Sequence, residues 1–280
     1  MSARHYETSN SPNANGSESP SAKEHGAFPL LFLIGRPAAG KSEVIKYLKG
    51  VSESERSARL HVAAFQEFDD FPMIWNWFEE DAILARHGRA RLHTDPEGYF
   101  LDPFLWHVLV ERLELDYRKW ALEFDGAHAS AEQGGESLPA APQGRTAVVE
   151  FARGKEHGGL AEAFAHLSPA ILRRGAVLYI RVSYAESLRK NRRRFNPEKP
   201  HSILEHSLPD EKLARLYGES DWEELEAKDP AYLQIGGVRV PYAVMENEDD
   251  VTTAGGAALG ERLSKTLALL WERYERAQRG

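Results

Sequence analysis

Apolar residues along the chain fall into short continuous runs, and longer segments of helical spacing lie between these runs. The first run, residues 28–34, ends at Gly35 and is typical of a strand buried on both faces of a parallel sheet. Further strands are predicted at 61–68, 146–151, 176–182 and 238–244, and helices at about 43–48, 103–124, 160–174, 184–194 and 255–278. This alternation predicts an α/β fold, with a parallel sheet and helices on both of its faces.

Two segments interrupt this pattern because they contain almost nothing to bury. Residues 1–26 are rich in Ser, Asn, Gly, Pro and Glu, and too few apolar side chains are present to offset the entropy of ordering, so a disordered tail is predicted. Residues 127–145 have a similar composition and indicate either a flexible insertion or a linker. We favour a single domain over 27–280 with a flexible insertion at about 127–145.

Composition and charge narrow the classes of function. The 280 residues include 43 acidic and 35 basic side chains, a net charge of −8, which argues against a non-specific binder of nucleic acid or of membrane surfaces. The absence of cysteine excludes disulfides, thiolate metal sites and cysteine nucleophiles. The sequence shows neither an apolar run of membrane-spanning length nor a signal-peptide pattern, so a cytoplasmic protein is expected.

The strongest motif follows the first predicted strand and precedes a predicted helix. It satisfies G-x-x-x-x-G-K-[ST], the phosphate-binding loop, whose glycines allow successive backbone amides to face phosphate oxygens. The predicted nucleotide-binding residues are Gly35, Arg36, Pro37, Ala38, Ala39, Gly40, Lys41 and Ser42, with Glu43 directly after them. Lys41 is expected at the β- and γ-phosphates and the Ser42 hydroxyl on Mg²⁺. The alternative is a glycine-rich turn with a chance lysine.

Carboxylates follow two other predicted strands, at the sheet edge where open α/β folds bind ligands. Asp69 and Asp70 follow the second strand and could accept a proton from an attacking hydroxyl, although a solvated turn would look the same. Glu150 closes the third strand and is a candidate for a water-mediated magnesium contact, or a strand-end charge in solvent. Arg153 could meet an acceptor or a phosphate.

A cluster of cations lies in the helix predicted after the fourth strand. Five of the six residues from Arg189 to Arg194 are basic. Like charges repel on a helix, which favours closure over a polyanion, with Arg189, Arg192 and Arg193 neutralising charge on the transferred phosphoryl group. A solvated basic face or an RNA-contacting patch are the alternatives. Residues 197–200 contain two prolines and suggest a mobile lid loop.

Aromatic residues and histidines add one further hypothesis. Trp75, Trp77, Phe78 and Trp106 could form a stacking wall for a planar acceptor, although packing in the core is the commoner role of tryptophan. The 11 histidines show no H-E-x-x-H or comparable spacing and predict no zinc site.

Together these motifs resemble the uridine kinase and nicotinamide riboside kinase group of P-loop kinases. The resemblance rests on the phosphate loop, Asp69-Asp70-Phe71, Glu150-Phe151 and the arginines from Arg189 to Arg194, in the family's order. It implies a three-layer P-loop NTPase fold with a five-stranded parallel sheet in the order 2-3-1-4-5. It also implies transfer of the γ-phosphate of ATP, with Mg²⁺, to a hydroxyl group, and a contact between residues 244–248 and the nucleotide base.

The chain departs from the family at several points. Ala39-Gly40-Lys41-Ser42-Glu43 replaces the usual Gly-Ser-Gly-Lys-[ST]-[ST] pattern, Phe151 stands where the family has glycine, and about 75 residues separate the second and third strands. The acceptor therefore cannot be carried over from the family. The expected function is a kinase whose substrates are a nucleoside triphosphate and a nucleoside-like or sugar-like hydroxyl compound. The alternative is a P-loop hydrolase acting as a switch, or a nucleotide-binding module.

Overall fold

A six-stranded sheet forms the centre of the chain in the computed structural model, which describes residues 26–124, 138–194 and 207–279. The strands are β1 (Leu30–Gly35), β2 (Ala64–Asp69), β3 (Arg145–Phe151), β4 (Gly175–Arg181), β5 (Tyr232–Ile235) and β6 (Val238–Glu246). Their order across the sheet is β2-β3-β1-β4-β6-β5. All neighbouring pairs are parallel except β5 and β6, which are antiparallel.

The sheet therefore has six strands, whereas the resemblance implied five in the order 2-3-1-4-5. The additional strand is β5, which precedes β6 in the chain and forms the edge of the sheet. Gly236 and Gly237 both have positive φ, 51° and 78°, as a two-residue hairpin turn requires. In the sequence, a Gly-Gly pair between two short apolar runs is a signal for such a hairpin.

Eleven α-helices occur in the described ranges, together with one 3₁₀ turn at Lys155–His157. The helices are α1 (Lys41–Gly50), α2 (Glu53–Leu60), α3 (Phe71–Arg86), α4 (Leu105–Phe124), α5 (Gly159–Ala165), α6 (Pro169–Arg174), α7 (Tyr184–Arg194), α8 (Asp210–Tyr217), α9 (Trp222–Glu226), α10 (Val251–Ala254) and α11 (Gly256–Arg279). The single helix predicted over 160–174 is two helices, because Ser168 caps a new helix whose first residue is Pro169.

Helices cover both faces of the sheet, as the alternation predicted. Leu30, Phe32 and Ile34 of β1 point into a core completed by residues of α4, α5, α6 and α9. Leu31 and Leu33 point to the opposite face, into a core completed by α1 and α11. The period of two along a strand explains this division. The α/β architecture with a mostly parallel sheet is therefore confirmed.

The segments predicted to be disordered or flexible fall largely outside the described residues. This applies to residues 1–25 of the tail, to 127–137 of the insertion and to the proposed lid loop at 197–200. The remaining part of the insertion, 138–145, leads into β3, and its Leu138 is buried in the core below α4. Among the described residues, no helix is both long enough and apolar enough to cross a membrane.

Helix α11 buries a stripe of leucines against the sheet, namely Leu259, Leu263, Leu267 and Leu270, and this stripe provides a test of the packing. Leu267 is fully buried, whereas Leu269 of the same helix is 44% exposed. We expect Leu267→Ala to lower the free energy of unfolding by about 2–5 kcal/mol, because it removes transfer free energy and leaves a cavity. The matched Leu269→Ala variant should change it by less than about 1 kcal/mol. Urea unfolding measures both, and equal losses would contradict this orientation of α11.

Candidate functional site

The segment from Gly35 to Ser42 connects β1 to α1 at the carboxyl edge of the sheet. A Cβ on Gly35 would lie 2.8 Å from the backbone oxygen of Ile180 in β4. Gly40 has φ +114°, and a Cβ there would lie 2.4 Å from Thr252 Oγ1. Ala38 has φ +58°, which is strained for a residue with a side chain. Close packing against β4 and α10 therefore requires both glycines of the motif.

The start of α1 offers unpaired donors to a ligand. The first intrahelical bond runs from the Val44 amide to the Gly40 carbonyl, and no side chain caps the helix. The amides of its first turn therefore lack helical partners, and the helix dipole adds positive charge there. Ser42 is exposed, and no described residue hydrogen-bonds to its hydroxyl. These donors fit a phosphate chain, and a free hydroxyl at this position fits Mg²⁺.

Side chains from two other elements brace the loop. Ser187 Oγ in α7 donates to the Pro37 carbonyl at 2.7 Å, and Asn247 Nδ2 donates to the Ala39 carbonyl at 2.7 Å. Asn247 also accepts from the Thr252 amide, so one buried amide ties the loop to α10. Asn247 lies in the 244–248 segment that the resemblance placed at the nucleotide base. The bracing role depends on tertiary contacts and carries no signal in the sequence.

Lys41 is buried beneath the loop. Its Nζ donates to the carbonyls of Gly35 and Arg36 at 3.3 and 3.2 Å and lies 3.9 Å from Glu150 Oε1. Burial lowers the pKa of Lys41, and the neighbouring Glu150 carboxylate opposes that change. The ammonium group is thus held at the loop by weak, long contacts that a phosphate could replace.

Glu150 and Asp69 are brought together by the register of the sheet. Asp69 of β2 pairs with Glu150 of β3, and Glu150 pairs with Leu33 of β1. Burial, and then the charge of Asp70, raises the pKa of Glu150, with Lys41 opposing the shift. The register therefore places both carboxylates at the same edge of the sheet as the loop that follows β1.

Asp69 is exposed at the cleft, yet its pKa is raised. Loss of water around the carboxyl, followed by the charges of Glu150 and Asp70, raises it to about 7, and a hydrogen bond from the Phe71 amide opposes this. Solvent screens these neighbouring charges at an exposed group, but the pKa of Asp69 stays above its ordinary value. A carboxylate that exchanges its proton near neutral pH is suited to general base catalysis.

Asp70 has a different environment from its neighbour. It is buried, and its Oδ2 lies 2.6 Å from Arg153 Nη1, which is itself buried. Arg153 also donates to the Trp106 carbonyl at 3.1 Å and lies over the Trp106 ring. This ion pair gives Asp70 a structural role. Through Arg153 it also links Asp70 to Trp106 in the first turn of α4.

The basic residues of α7 are largely held by carboxylates. Arg189 pairs with Glu186 and Asp250, Arg192 pairs with Asp210, and Arg193 lies 4.0 Å from Asp250. Arg189, Arg192 and Arg193 do not contact the carboxylates of β2 and β3 in this structure, so their role at a transferred phosphoryl group stays a prediction. These ion pairs offset part of the repulsion between like charges along α7.

Arg36 and Glu43 connect the phosphate loop and the start of α1 to helices α8 and α7. Glu43, predicted to contact the nucleotide, pairs with Arg194 at 3.5 Å. Arg36 donates to the carbonyls of Tyr217 and Gly218 at the end of α8. Arg194 lies close enough to lower the pKa of both Lys41 and Glu150, which places this arginine of α7 near the phosphate loop.

Helix α3 separates two cavities beside these residues. A polar cleft of about 380 Å³ between α3 and α4 is lined by Asp69, Asp70, Asn76, Trp77 and Glu80, among others. On the other side of α3, an aromatic pocket of about 160 Å³ extends to α8. Three of the four residues predicted as a stacking wall line this pocket, and they are Trp75, Phe78 and Trp106. Trp77 instead stacks on His93.

A buried carboxylate holds one wall of the aromatic pocket. Asp81 in α3 accepts hydrogen bonds from the amides of Leu92, His93 and Thr94, and these bonds lower its pKa to about 2 against the effect of burial. The loop fixed in this way continues to Tyr99 and Phe100, which line the pocket. Sequence reasoning missed Asp81, because a single aspartate in a helical pattern carries no signal of its own.

No protein-family model matches this chain, and the search of curated proteins gave no match. Function must therefore be argued from the geometry of the site.

The raised pKa of Asp69 predicts a pH-dependent stability. The folded protein holds this proton up to about pH 7, whereas the unfolded chain releases it near the ordinary value of 3.8. The charge on Asp69 therefore destabilises the fold above about pH 4, and increasingly up to about pH 7. Asp69→Asn should raise the melting temperature more at pH 8 than at pH 5.

Thermal unfolding at the two pH values measures this effect, and a Glu150→Gln background provides the control. Removing the Glu150 charge takes away one cause of the shift, so the pH-dependent gain should shrink in that background. A gain that is equal at pH 5 and pH 8 would show that Asp69 titrates as an ordinary carboxyl group.

Proposed function

We propose that the protein is a P-loop kinase that transfers the γ-phosphate of ATP, in the presence of Mg²⁺, to a hydroxyl group of a small molecule. The observation that carries the proposal is the phosphate loop with its buried Lys41 beside Glu150, next to the exposed carboxylate of Asp69. The order β2-β3-β1-β4-β6 of the parallel strands supports a P-loop NTPase fold in which β5 is an added edge strand.

In this proposal the loop binds the triphosphate through its backbone. Lys41 moves from the carbonyls of Gly35 and Arg36 to the β- and γ-phosphates, which offer a stronger charge-assisted bond. Ser42 and Glu150 would hold Mg²⁺, Glu150 through a water molecule. The ion would supply positive charge that neutralises the charge developing on the transferred phosphoryl group.

Asp69, rather than Asp70, is the proposed base. It is exposed to the cleft and exchanges its proton near neutral pH, whereas Asp70 is engaged by Arg153. As the acceptor oxygen forms its bond to the γ-phosphorus, its proton passes to the Asp69 carboxylate. The bond between the γ-phosphorus and the β–γ bridging oxygen breaks, and ADP leaves.

The acceptor binds where α3 meets the end of β2. The polar cleft lined by Asp69 and Asn76 is large enough for a small polyhydroxyl compound. The aromatic pocket on the other side of α3 is the alternative place for a planar acceptor, and its Trp106 contacts Arg153, which pairs with Asp70.

Nucleotide binding tests the first part of the proposal. Lys41→Ala should weaken the affinity for ATP–Mg²⁺ by about 10- to 100-fold, the worth of a hydrogen bond between charged groups. Lys46→Ala, at an exposed position of the same helix, is the control and should bind normally. Calorimetric titration measures both, with circular dichroism to check folding. Equal affinities in the folded variants would remove Lys41 from the binding site.

Acceptor dependence separates a kinase from a hydrolase. We expect slow hydrolysis of ATP by the protein alone and strong stimulation by the right compound from a panel of nucleosides, ribosylated bases and small sugars. Asp69→Asn should lower acceptor-dependent transfer by about 10²-fold or more. Fast hydrolysis without an acceptor that survives Asp69→Asn, Asp70→Asn and Glu150→Gln would favour the switch or nucleotide-binding alternative.

A further inference from the structure

Two histidines and two glutamates lie together where α4 meets α5, outside the residues assigned to the kinase site. His107 and Glu111 are four residues apart in α4, and Glu162 and His166 are four residues apart in α5 and at its C-cap. A spacing of four places side chains on one face of a helix, one turn apart. Each helix thus presents one imidazole and one carboxylate to the other.

The distances within this group are short. One ligand atom each of His107, Glu162 and His166 lies within 4.8 Å of the other two. Nδ1 of His166 lies 2.9 Å from Glu111 Oε1. The two imidazole rings are stacked with centroids 4.1 Å apart, and Phe104 packs edge-on against both. Four nitrogen and oxygen donors therefore share one patch with an apolar side chain behind it.

The hydrogen bond to Glu111 has a consequence for His166. A carboxylate that accepts from Nδ1–H fixes the tautomer and the ring orientation, and it leaves Nε2 as a free electron-pair donor.

We propose that His107, Glu162 and His166 bind one Zn²⁺ ion, with water as the fourth ligand and Glu111 as the residue that orients His166. Two imidazoles and a carboxylate are a ligand set that zinc accepts in tetrahedral geometry. Bonds of about 2.0–2.2 Å require donor separations of about 3.4 Å, so the stacked rings must rotate and any longer separation between ligand atoms must close to that value. Partly exposed side chains at a helix surface can make this change.

The ion would connect α4 to α5. His107 directly follows Trp106, so zinc would also fix the first turn of α4, which carries one wall of the aromatic pocket. The prediction of no zinc site rested on the spacing of histidines within short segments of the sequence. Here the ligands come from two helices more than fifty residues apart, and no short motif could reveal them.

Zinc binding to the full-length, tag-free chain tests the proposal after removal of metals with a chelator. Calorimetric titration with ZnCl₂ should give one ion per chain, and Zn²⁺ should raise the melting temperature. Co²⁺ should give the visible absorption of a tetrahedral site. His107→Ala and His166→Ala should each weaken zinc binding at least about tenfold, and Glu111→Gln by about tenfold. His87→Ala, at an exposed histidine outside the group, should bind zinc normally.

Glu162→Gln keeps the test decisive if a histidine variant fails to fold, because Glu162 is exposed. It should weaken zinc binding and abolish the tetrahedral Co²⁺ spectrum without changing the circular dichroism. Absence of saturable binding, or binding that survives these substitutions, would overturn the proposal. The result is independent of whether the protein is a kinase.

Discussion

The parallel register of β2, β3 and β1 is the constraint on which the candidate site depends. Parallel strands end at the same edge of a sheet, and here the pairs Asp69–Glu150 and Leu33–Glu150 bring two carboxylates next to the loop that leaves β1. A shift of one residue in either pairing would turn Glu150 to the other face of the sheet. The apolar faces of β1, packed against helices on both sides, oppose such a shift.

This arrangement concentrates opposing charges in one place. Burial and neighbouring carboxylates raise the pKa of both Asp69 and Glu150, while Lys41, Arg153 and Arg194 supply compensating positive charge. Burying such groups costs free energy that hydrophobic residues would not cost. We regard this cost as the reason to interpret the cluster as functional, since a site for charged phosphates needs groups that are poorly compensated without a ligand.

The sequence predicted the parts of the structure that local chemistry determines. The buried strands, the stripe of α11 and the glycines of the phosphate loop each have a short-range signal in hydrophobicity or turn chemistry. The proximity of Asp69 and Glu150 followed from the sheet type alone. Strand β5 was missed because its apolar run is only four residues long.

Other features could not be predicted because they depend on contacts between distant segments. The Asp70–Arg153 pair, the support of the loop by Asn247 and the pairing of the α7 arginines all join residues whose separation in the chain carries no periodic signal. Each of these contacts gives a polar side chain a partner of opposite charge or a hydrogen-bond partner. The need for that partner arises only once the helices have packed.

The proposed function depends on the binding of triphosphate by the backbone and Lys41 of the loop after β1. A crystal structure of the full chain with Mg²⁺ and a non-hydrolysable ATP analogue tests this directly. We expect phosphates against the loop amides, with Lys41 Nζ moved from the carbonyls of Gly35 and Arg36 to phosphate oxygens. A nucleotide bound elsewhere, with Lys41 keeping its present hydrogen bonds, would contradict it.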